Sequence, residues 1–161
     1  MRIAVLGYSG SGKTYLSDCI SKAKRIPCLH LDAIKYDKSW DPIDNSVVLP
    51  QVAAFMSKKD WIIDGYYKYL LVEERLEKAD QIVILLLPRL TCFFRTLMRS
   101  RDRKREGYQN DINWWFVKFT LFSCRNKARR QAYTKITEKY KEKTVVLKTQ
   151  RQINAFIKSM E

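Results

Sequence analysis

The sequence contains one histidine, four cysteines and no long apolar run among its 161 residues. Its longest apolar stretch, residues 82–88, has the length of a strand, whereas a membrane-spanning helix needs about 18–20 apolar residues. The first residues lead directly into glycine-rich sequence, which leaves no room for the apolar core of a signal peptide. We therefore expect no membrane helix, no secretion signal and a cytoplasmic location.

The four cysteines include no Cys-x-x-Cys pair and lie far apart, at positions Cys19, Cys28, Cys92 and Cys124. This spacing favours reduced thiols, and we expect neither a disulfide framework nor a zinc site. The sequence also lacks internal repeats, low-complexity tracts and linkers. With 46% hydrophobic and 30% charged residues, it is typical of one globular domain over residues 1–161.

The charge of the chain is strongly unbalanced. Lys and Arg number 31 against 17 Asp and Glu, which gives a formal net charge of +14. Such an excess favours an anionic partner, which could be nucleotide phosphates, nucleic acid or an acidic surface.

Short apolar runs alternate with helical patterns along the chain. The runs predict strands over 2–6, 26–31, 61–64, 81–87 and 144–147, and the periodicity predicts helices over 13–24, 47–57, 70–78 and 152–159. Residues 91–133 are mostly helical in pattern, with an interruption near Gly107. Apolar strands separated by helices indicate a doubly wound α/β fold, with a parallel sheet covered on both faces.

The first strand is followed by a match to the phosphate-binding pattern G-x-x-x-x-G-K-[ST], which comprises Gly7, Tyr8, Ser9, Gly10, Ser11, Gly12, Lys13 and Thr14. Glycines let the backbone N–H groups wrap a phosphate chain closely, and the following helix adds the positive end of its dipole. Lys13 supplies a charge for the β and γ phosphates, and the Thr14 hydroxyl can ligate Mg²⁺. The pattern predicts an ATP site.

Two carboxylates follow predicted strands, Asp32 after residues 28–31 and Asp64 after residues 61–63. Ligands of open parallel sheets bind beyond the carboxyl ends of the strands, so both acids could complete a magnesium site with Thr14. Asp32 could instead orient or deprotonate a phosphoryl acceptor. The alternative is that each acid caps a helix or turn. His30 lies within a predicted strand, which favours a packed or hydrogen-bonded residue over a catalytic one.

The segment from Arg89 to Arg130 carries twelve Lys or Arg residues against three acids, and so holds +9 of the net charge. Arg95 and Arg99 are four apart, which places them on one helix face, where guanidinium groups could stabilise a transferring phosphoryl group. Residues 101–105 are either part of a lid or a solvated charged loop. The aromatic residues of 112–119 fit a helix packed on the core, or else a platform for stacked bases.

Several segments together resemble a known family. They are the phosphate loop at residue 7, Leu31-Asp32 with Trp40, the run Trp61–Tyr67, Ala79-Asp80 before residues 82–85, and Pro88-Arg89. This pattern resembles the DNA topology modulation proteins, small P-loop proteins similar to adenylate kinase and other nucleoside monophosphate kinases. The resemblance covers residues 1 to about 105 and resumes weakly over 144–156.

The resemblance implies a five-stranded parallel sheet in the order 2-3-1-4-5. It also implies that Asp64 holds magnesium through water and that Arg95 and Arg99 lead into a basic lid at approximately 96–125. Residues 66–68 replace the proline and arginine that follow Asp-Gly in adenylate kinases, so AMP recognition is not implied. Residues 84–87 lack the acid that many relatives carry before Pro-Arg.

The leading hypothesis is an ATP- and Mg²⁺-dependent phosphotransferase acting on a small molecule or nucleotide. In it Lys13, Arg95, Arg99 and Asp32 are catalytic. A nucleic-acid-binding module that uses ATP as a switch, or not at all, is the rival, and it rests on the +9 segment. A third possibility is an ATP-binding protein without retained catalysis.

Overall fold

The computed structural model describes residues 1–37, 41–105 and 114–161, and the side chains of these residues except 99–105 and 114–116. The strands are β1 (Arg2–Gly7), β2 (Cys28–His30), β3 (Trp61–Asp64), β4 (Gln81–Leu85) and β5 (Thr144–Leu147). The helices are α1 (Lys13–Lys24), α2 (Leu31–Lys35), α3 (Asn45–Met56), α4 (Val72–Lys78), α5 (Arg89–Arg105), α6 (Trp114–Leu121), α7 (Lys127–Lys139) and α8 (Gln150–Ser159). Short 3₁₀ turns span Ser123–Arg125 and Lys141–Lys143.

The five strands form one parallel sheet in the order β2-β3-β1-β4-β5, which confirms the predicted fold. β1 lies at the centre, with Arg2 opposite Trp61 of β3 and Ile3 opposite Gln81 of β4. Because all strands run the same way, their carboxyl ends meet at one edge of the sheet. Gly7, His30 and Asp64 lie at that edge, where the phosphate loop begins.

The core lies in two layers, one on each face of the sheet. Alternate residues of β1 point to opposite faces, so Ile3 and Val5 pack with residues of α1 and α8, whereas Ala4 and Leu6 pack with residues of α3, α4 and α7. Every β1 residue from position 3 to position 6 is fully buried. The sheet therefore has the two covered faces that the apolar strands predicted.

The second strand is shorter than predicted. β2 ends at His30, and Leu31 begins a five-residue helix that the sequence analysis did not predict. Pairing with β3 stops where His30 lies opposite Asp64, and Leu31 then turns into the core with no exposed surface. As a correction, Asp32 lies in the first turn of α2 and not at a strand end.

Other helix boundaries also differ from the predictions. α4 begins at Val72 because Leu71 has a left-handed φ of 51°, which excludes it from the helix. α3 begins at Asn45, two residues earlier than predicted, because Asp44 caps it by accepting a hydrogen bond from the Ser46 amide. With this start, Pro50 lies in the second turn of α3.

Within the basic segment, residues 101–105 are helical, whereas one of the two interpretations of the sequence made them a loop. Their backbone continues α5 without a break, so the solvated-loop interpretation is wrong for them. Gly107, where an interruption was predicted, and Trp40 lie outside the described residues. Phe119 of α6 packs on the core, as the packing alternative for the aromatic run predicted. Among the described residues, no helix combines the length and apolar character needed to cross a bilayer.

Candidate nucleotide and acceptor site

The phosphate loop connects the end of β1 to the start of α1. Its three glycines, Gly7, Gly10 and Gly12, have φ values of 152°, 72° and 93°, a backbone range that favours glycine. The Lys13 Nζ donates a hydrogen bond to the Tyr8 carbonyl at 3.1 Å, so the ammonium group folds back over the loop. This arrangement brings backbone amides, a helix start and one cation to the same place.

Helix α5 packs directly against the loop. A Cβ atom at Gly10 would lie 2.3 Å from Thr96 Oγ1 and 2.4 Å from the Cys92 carbonyl oxygen, so only glycine permits this contact. The Arg95 Nη1 donates to the Ser11 carbonyl at 3.1 Å, and its Nη2 donates to Gln150 Oε1 at the start of α8. Arg95 therefore joins α5, the loop and α8, and its role towards a phosphoryl group stays a prediction.

Two further arginines, one at the end of the lid region and one just beyond it, also contact residues of the site, and the sequence analysis did not single them out. The Arg125 guanidinium lies 4.1 Å from the Tyr8 ring centroid, is 7% exposed and has a buried Nε with no hydrogen-bond partner among the described residues. Arg129 lies 4.3 Å from the Tyr66 ring centroid, just after β3. Tyr133 joins the two tyrosines, because its ring contacts both and its hydroxyl donates to the Gly7 carbonyl at 3.0 Å.

Asp64 is 2% exposed and forms an ion pair with His30. The His30 Nδ1 lies 3.0 Å from Asp64 Oδ2, and its Nε2 lies 3.0 Å from Asp18 Oδ1 on α1. The hydrogen bond to Asp64, opposed by burial and assisted by both carboxylates, raises the pKa of His30 to about 9. His30 is thus charged near neutral pH, and the hydrogen-bonded alternative from the sequence analysis describes it.

Asp32 is paired with a tyrosine from the loop after β3. The Tyr67 hydroxyl donates to Asp32 Oδ1, and the Tyr67 ring lies 6.5 Å from that of Tyr36. Burial and the neighbouring Asp32 charge raise the pKa of Tyr67, which keeps it a proton donor. Asp32 thus stands among tyrosine rings and hydroxyls, which suits contact with a hydroxylated molecule.

A fully buried arginine, Arg75, hydrogen-bonds to the backbone of the loop that carries Tyr66 and Tyr67. Arg75 Nε donates to the Leu70 carbonyl at 2.9 Å and its Nη1 to the Gly65 carbonyl at 3.0 Å. Its Nη2 donates to the Tyr67 carbonyl at 3.5 Å, and burial lowers its pKa to about 10. These three hydrogen bonds all go to backbone carbonyls, so this guanidinium acts as an internal brace.

The residues present fit a nucleotide with magnesium. Glycines with left-handed φ open the loop, and Ser11 Oγ within it is buried without a hydrogen-bond partner among the described residues. Thr14 is the second residue of α1, and Asp64 lies at the neighbouring strand end with one carboxylate oxygen engaged by His30. Oxygen donors of this kind suit Mg²⁺. Arg99 belongs to α5, and its side chain lies outside the described residues.

Several solved structures share this fold. The shikimate kinase from Acinetobacter baumannii in complex with shikimate aligns with a TM-score of 0.63 at 16% identity, over 99% of this chain and 89% of that one. The shikimate kinase from Bacteroides thetaiotaomicron aligns at 0.55 and 14% identity, over 99% of this chain and 95% of that one. The gluconokinase from Sinorhizobium meliloti aligns with a TM-score of 0.53 at 16% identity, over 99% of this chain and 88% of that one.

These likenesses establish the class of fold: this chain has the three-layer α/β fold of small P-loop kinases. The solved structures named above are two shikimate kinases and one gluconokinase. At 14–16% identity the likeness extends to the fold alone. No protein-family model matches the chain, and no curated protein matches it either.

Proposed function

We propose that this protein binds ATP with magnesium and transfers the γ-phosphoryl group to a hydroxyl group of a small acceptor. The observation that carries the proposal is the convergence of cations on the phosphate loop. Arg95 bonds the Ser11 carbonyl and Arg125 stacks on Tyr8, while Lys13 lies over the loop itself. A loop that only turned the chain would not require these charges from α5 and from the segment after α6.

The proposed division of roles follows from position. The amides of residues 7–14, with the Lys13 ammonium, would hold the phosphate chain. Thr14 and Asp64, with Asp32 as a further candidate, would hold Mg²⁺ directly or through water. Magnesium, when bound, neutralises charge on the phosphate oxygens. Arg95 and Arg99 would stabilise the transferring group, because a guanidinium donates several hydrogen bonds and stays protonated.

Asp32 would orient the acceptor hydroxyl and take its proton. The Tyr67 hydroxyl donates to Oδ1 of this carboxylate, so Oδ2 would be the atom that accepts the proton of the acceptor hydroxyl. The acceptor would lie between the Asp32–Tyr67 pair and the end of β3, beside the Tyr66 and Arg129 contact. A general base in this position contributes about 10²–10⁴-fold to the rate.

Residues 1–161 would form one kinase-like domain acting in the cytoplasm, with approximately 96–125 as its basic lid. The resemblance to the DNA topology modulation proteins is supported by residues 61–67, which include the buried Asp64 and the tyrosines of the site. The proposed chemistry does not require DNA.

A phosphoryl-transfer screen tests the function. Purified protein is incubated with γ-labelled ATP and magnesium against a panel of sugars, hydroxy acids, nucleosides, nucleoside monophosphates and duplex DNA. Label should pass to one small acceptor class, and the Lys13→Ala variant should lose both transfer and ATP binding by calorimetry. Absence of ATP binding by the wild-type protein at millimolar ATP would overturn the proposal.

The +9 segment supports a second candidate, a nucleic-acid-binding module. Binding DNA through about five phosphates would give a slope of about −4 to −5 for log affinity against log salt concentration. A slope of that size, with no small molecule accepting phosphate, would favour this candidate. A flat response with transfer to a small acceptor would favour the kinase.

A further inference from the structure

A second cluster of polar side chains lies beside the proposed nucleotide site. Asp18 projects from α1, while Cys28 and His30 are two apart on β2 and therefore share one face of that strand. One ligand atom from each of the three lies within 4.8 Å of the others. The cluster combines a carboxylate, a thiol and an imidazole, and none of the three donors belongs to the proposed phosphate-binding machinery.

The distances are close to those of a tetrahedral metal site. Zinc bonds of about 2.0–2.1 Å to nitrogen, 2.0–2.2 Å to oxygen and 2.3 Å to sulfur place tetrahedral ligand atoms about 3.4–3.6 Å apart. The His30 Nε2 lies 3.0 Å from Asp18 Oδ1 and 3.9 Å from Cys28 Sγ. The Cys28 Sγ is equidistant from both ring nitrogens, at 3.9 Å, so metal binding at Nε2 requires the sulfur to move closer to that nitrogen.

The other ring nitrogen already has the partner that such a site requires. His30 Nδ1 lies 3.0 Å from the buried Asp64 carboxylate. A carboxylate that accepts the second N–H of a metal-bound histidine fixes its tautomer and increases its basicity. The Asp64–His30 pair is therefore a second observation, independent of the ligand distances, that points to a metal at Nε2.

We propose that Asp18, Cys28 and His30 form a site for a thiophilic divalent cation of the zinc class, with Asp64 orienting His30 from the second ring nitrogen. Binding replaces the proton between His30 and Asp18 and the proton of the Cys28 thiol, so two protons are released for each ion bound. Three protein ligands leave the fourth tetrahedral position for water.

This site differs in chemistry from the magnesium site. Mg²⁺ prefers oxygen ligands, whereas thiolate and imidazole select zinc and its neighbours. Asp18 follows Thr14 by four residues on α1, so the two sites are one helical turn apart along that helix. The absence of a Cys-x-x-Cys pair had argued against zinc, but here the ligands come from two elements and include a single cysteine.

Cobalt(II) titration tests the proposal, because a bound thiolate gives cobalt a charge-transfer absorption in the near ultraviolet. Wild-type protein should show this absorption, and zinc should displace it. Cys28→Ser should abolish it, and Asp18→Asn should weaken cobalt binding at least about tenfold, as loss of a metal-site residue does. Cys19→Ser is the matched control, since Cys19 is also a half-buried free thiol, and it should retain the absorption.

Alkylation of the wild-type protein gives a second readout that needs no variant. Zinc should protect Cys28 from iodoacetamide while Cys19 is modified equally with and without metal, as peptide mass spectrometry would show. Lack of the cobalt absorption, its persistence in Cys28→Ser, its loss in Cys19→Ser or equal protection of both cysteines would overturn the proposal. ATP binding by Cys28→Ser should equal that of wild type, so this outcome is independent of the proposed function.

Discussion

The guanidinium carbon of Arg125 lies 4.1 Å from the centre of the Tyr8 ring, so a residue after α6 contacts the phosphate loop itself. The same guanidinium donates from Nη2 to the Cys92 sulfur at 2.9 Å on α5. Its Nε is buried without a partner among the described residues, so the guanidinium retains hydrogen-bonding capacity for a bound anion. Arg125 thereby connects α5, the loop and the segment that leads into α7.

Arg125→Met should therefore weaken ATP binding by about 10- to 100-fold, since a hydrogen bond to a charged group contributes roughly 1.5–3 kcal/mol. Isothermal calorimetry with Mg²⁺-ATP measures the change. Arg130→Met is the matched control, because it removes the same charge from an exposed position five residues away. Equal losses in both variants would show that only the total charge matters.

Asp32→Asn should reduce phosphoryl transfer by about 10²–10⁴-fold while ATP affinity stays within about twofold, because the variant keeps the size of the side chain but cannot accept a proton. The rate is measured with the acceptor found in the screen. The control is Asp41→Asn. Asp41 is an exposed acid in the loop between α2 and α3, and this variant should retain full transfer. Normal turnover in Asp32→Asn would show that Asp32 is not the general base.

Arg99→Ala should nearly abolish turnover, by about 10³–10⁵-fold, if its guanidinium stabilises the transferring group as arginine fingers do. ATP binding should remain measurable, because Lys13 and Arg95 are still present. The control is Arg151→Ala on the exposed side of α8, which should leave turnover unchanged. A rate near that of wild type in Arg99→Ala would assign the role to another arginine.

His30 should make stability depend on pH in the alkaline range. Its pKa rises from 6.5 to about 9 on folding, so its contribution is complete below about pH 6.5 and is lost as pH increases through about 9. The difference in melting temperature between wild type and His30→Gln should therefore be largest near pH 6 and shrink towards pH 10. Thermal denaturation with a metal chelator present measures it, and a constant difference would contradict the prediction.

Arg75→Met should lower the free energy of unfolding by about 2–6 kcal/mol, because it leaves the buried carbonyls of Leu70 and Gly65 without donors at about 1–3 kcal/mol each. Urea denaturation measures the change. The exposed Arg151→Met should have an effect below about 0.5 kcal/mol. Trypsin should also cleave after Lys68 faster in Arg75→Met, since the brace on that loop is gone.

The sheet and the phosphate loop could be predicted because their signals are local. Glycine spacing and the apolar strands define the loop, and the strand order came from the family resemblance. The short helix α2 could not be predicted in this way. Of residues 28–31 all but His30 are apolar, so the run predicts a longer strand, and the break after His30 coincides with its pairing with Asp64, which is 34 positions away.

The arginines of the site illustrate the same limit. Arg95 was accessible to sequence analysis because it shares a helix face with Arg99 and follows Pro-Arg. Arg125 and Arg129 carried no such signal, since the basic segment holds twelve cations and spacing does not show which of them return to the loop. Only the stacking on Tyr8 and Tyr66 separates them from their neighbours.

The central position of β1 has a consequence for biosynthesis. Each of its pairing partners follows at least 59 positions later, since Arg2 lies opposite Trp61 and Ile3 opposite Gln81. During translation the first strand therefore waits unpaired until two later strands have emerged from the ribosome. The glycine-rich loop that follows β1 is also synthesised early, but it acquires its fixed shape only after the middle of the polypeptide has been made. Until then the apolar residues of β1 remain exposed and accessible to chaperones.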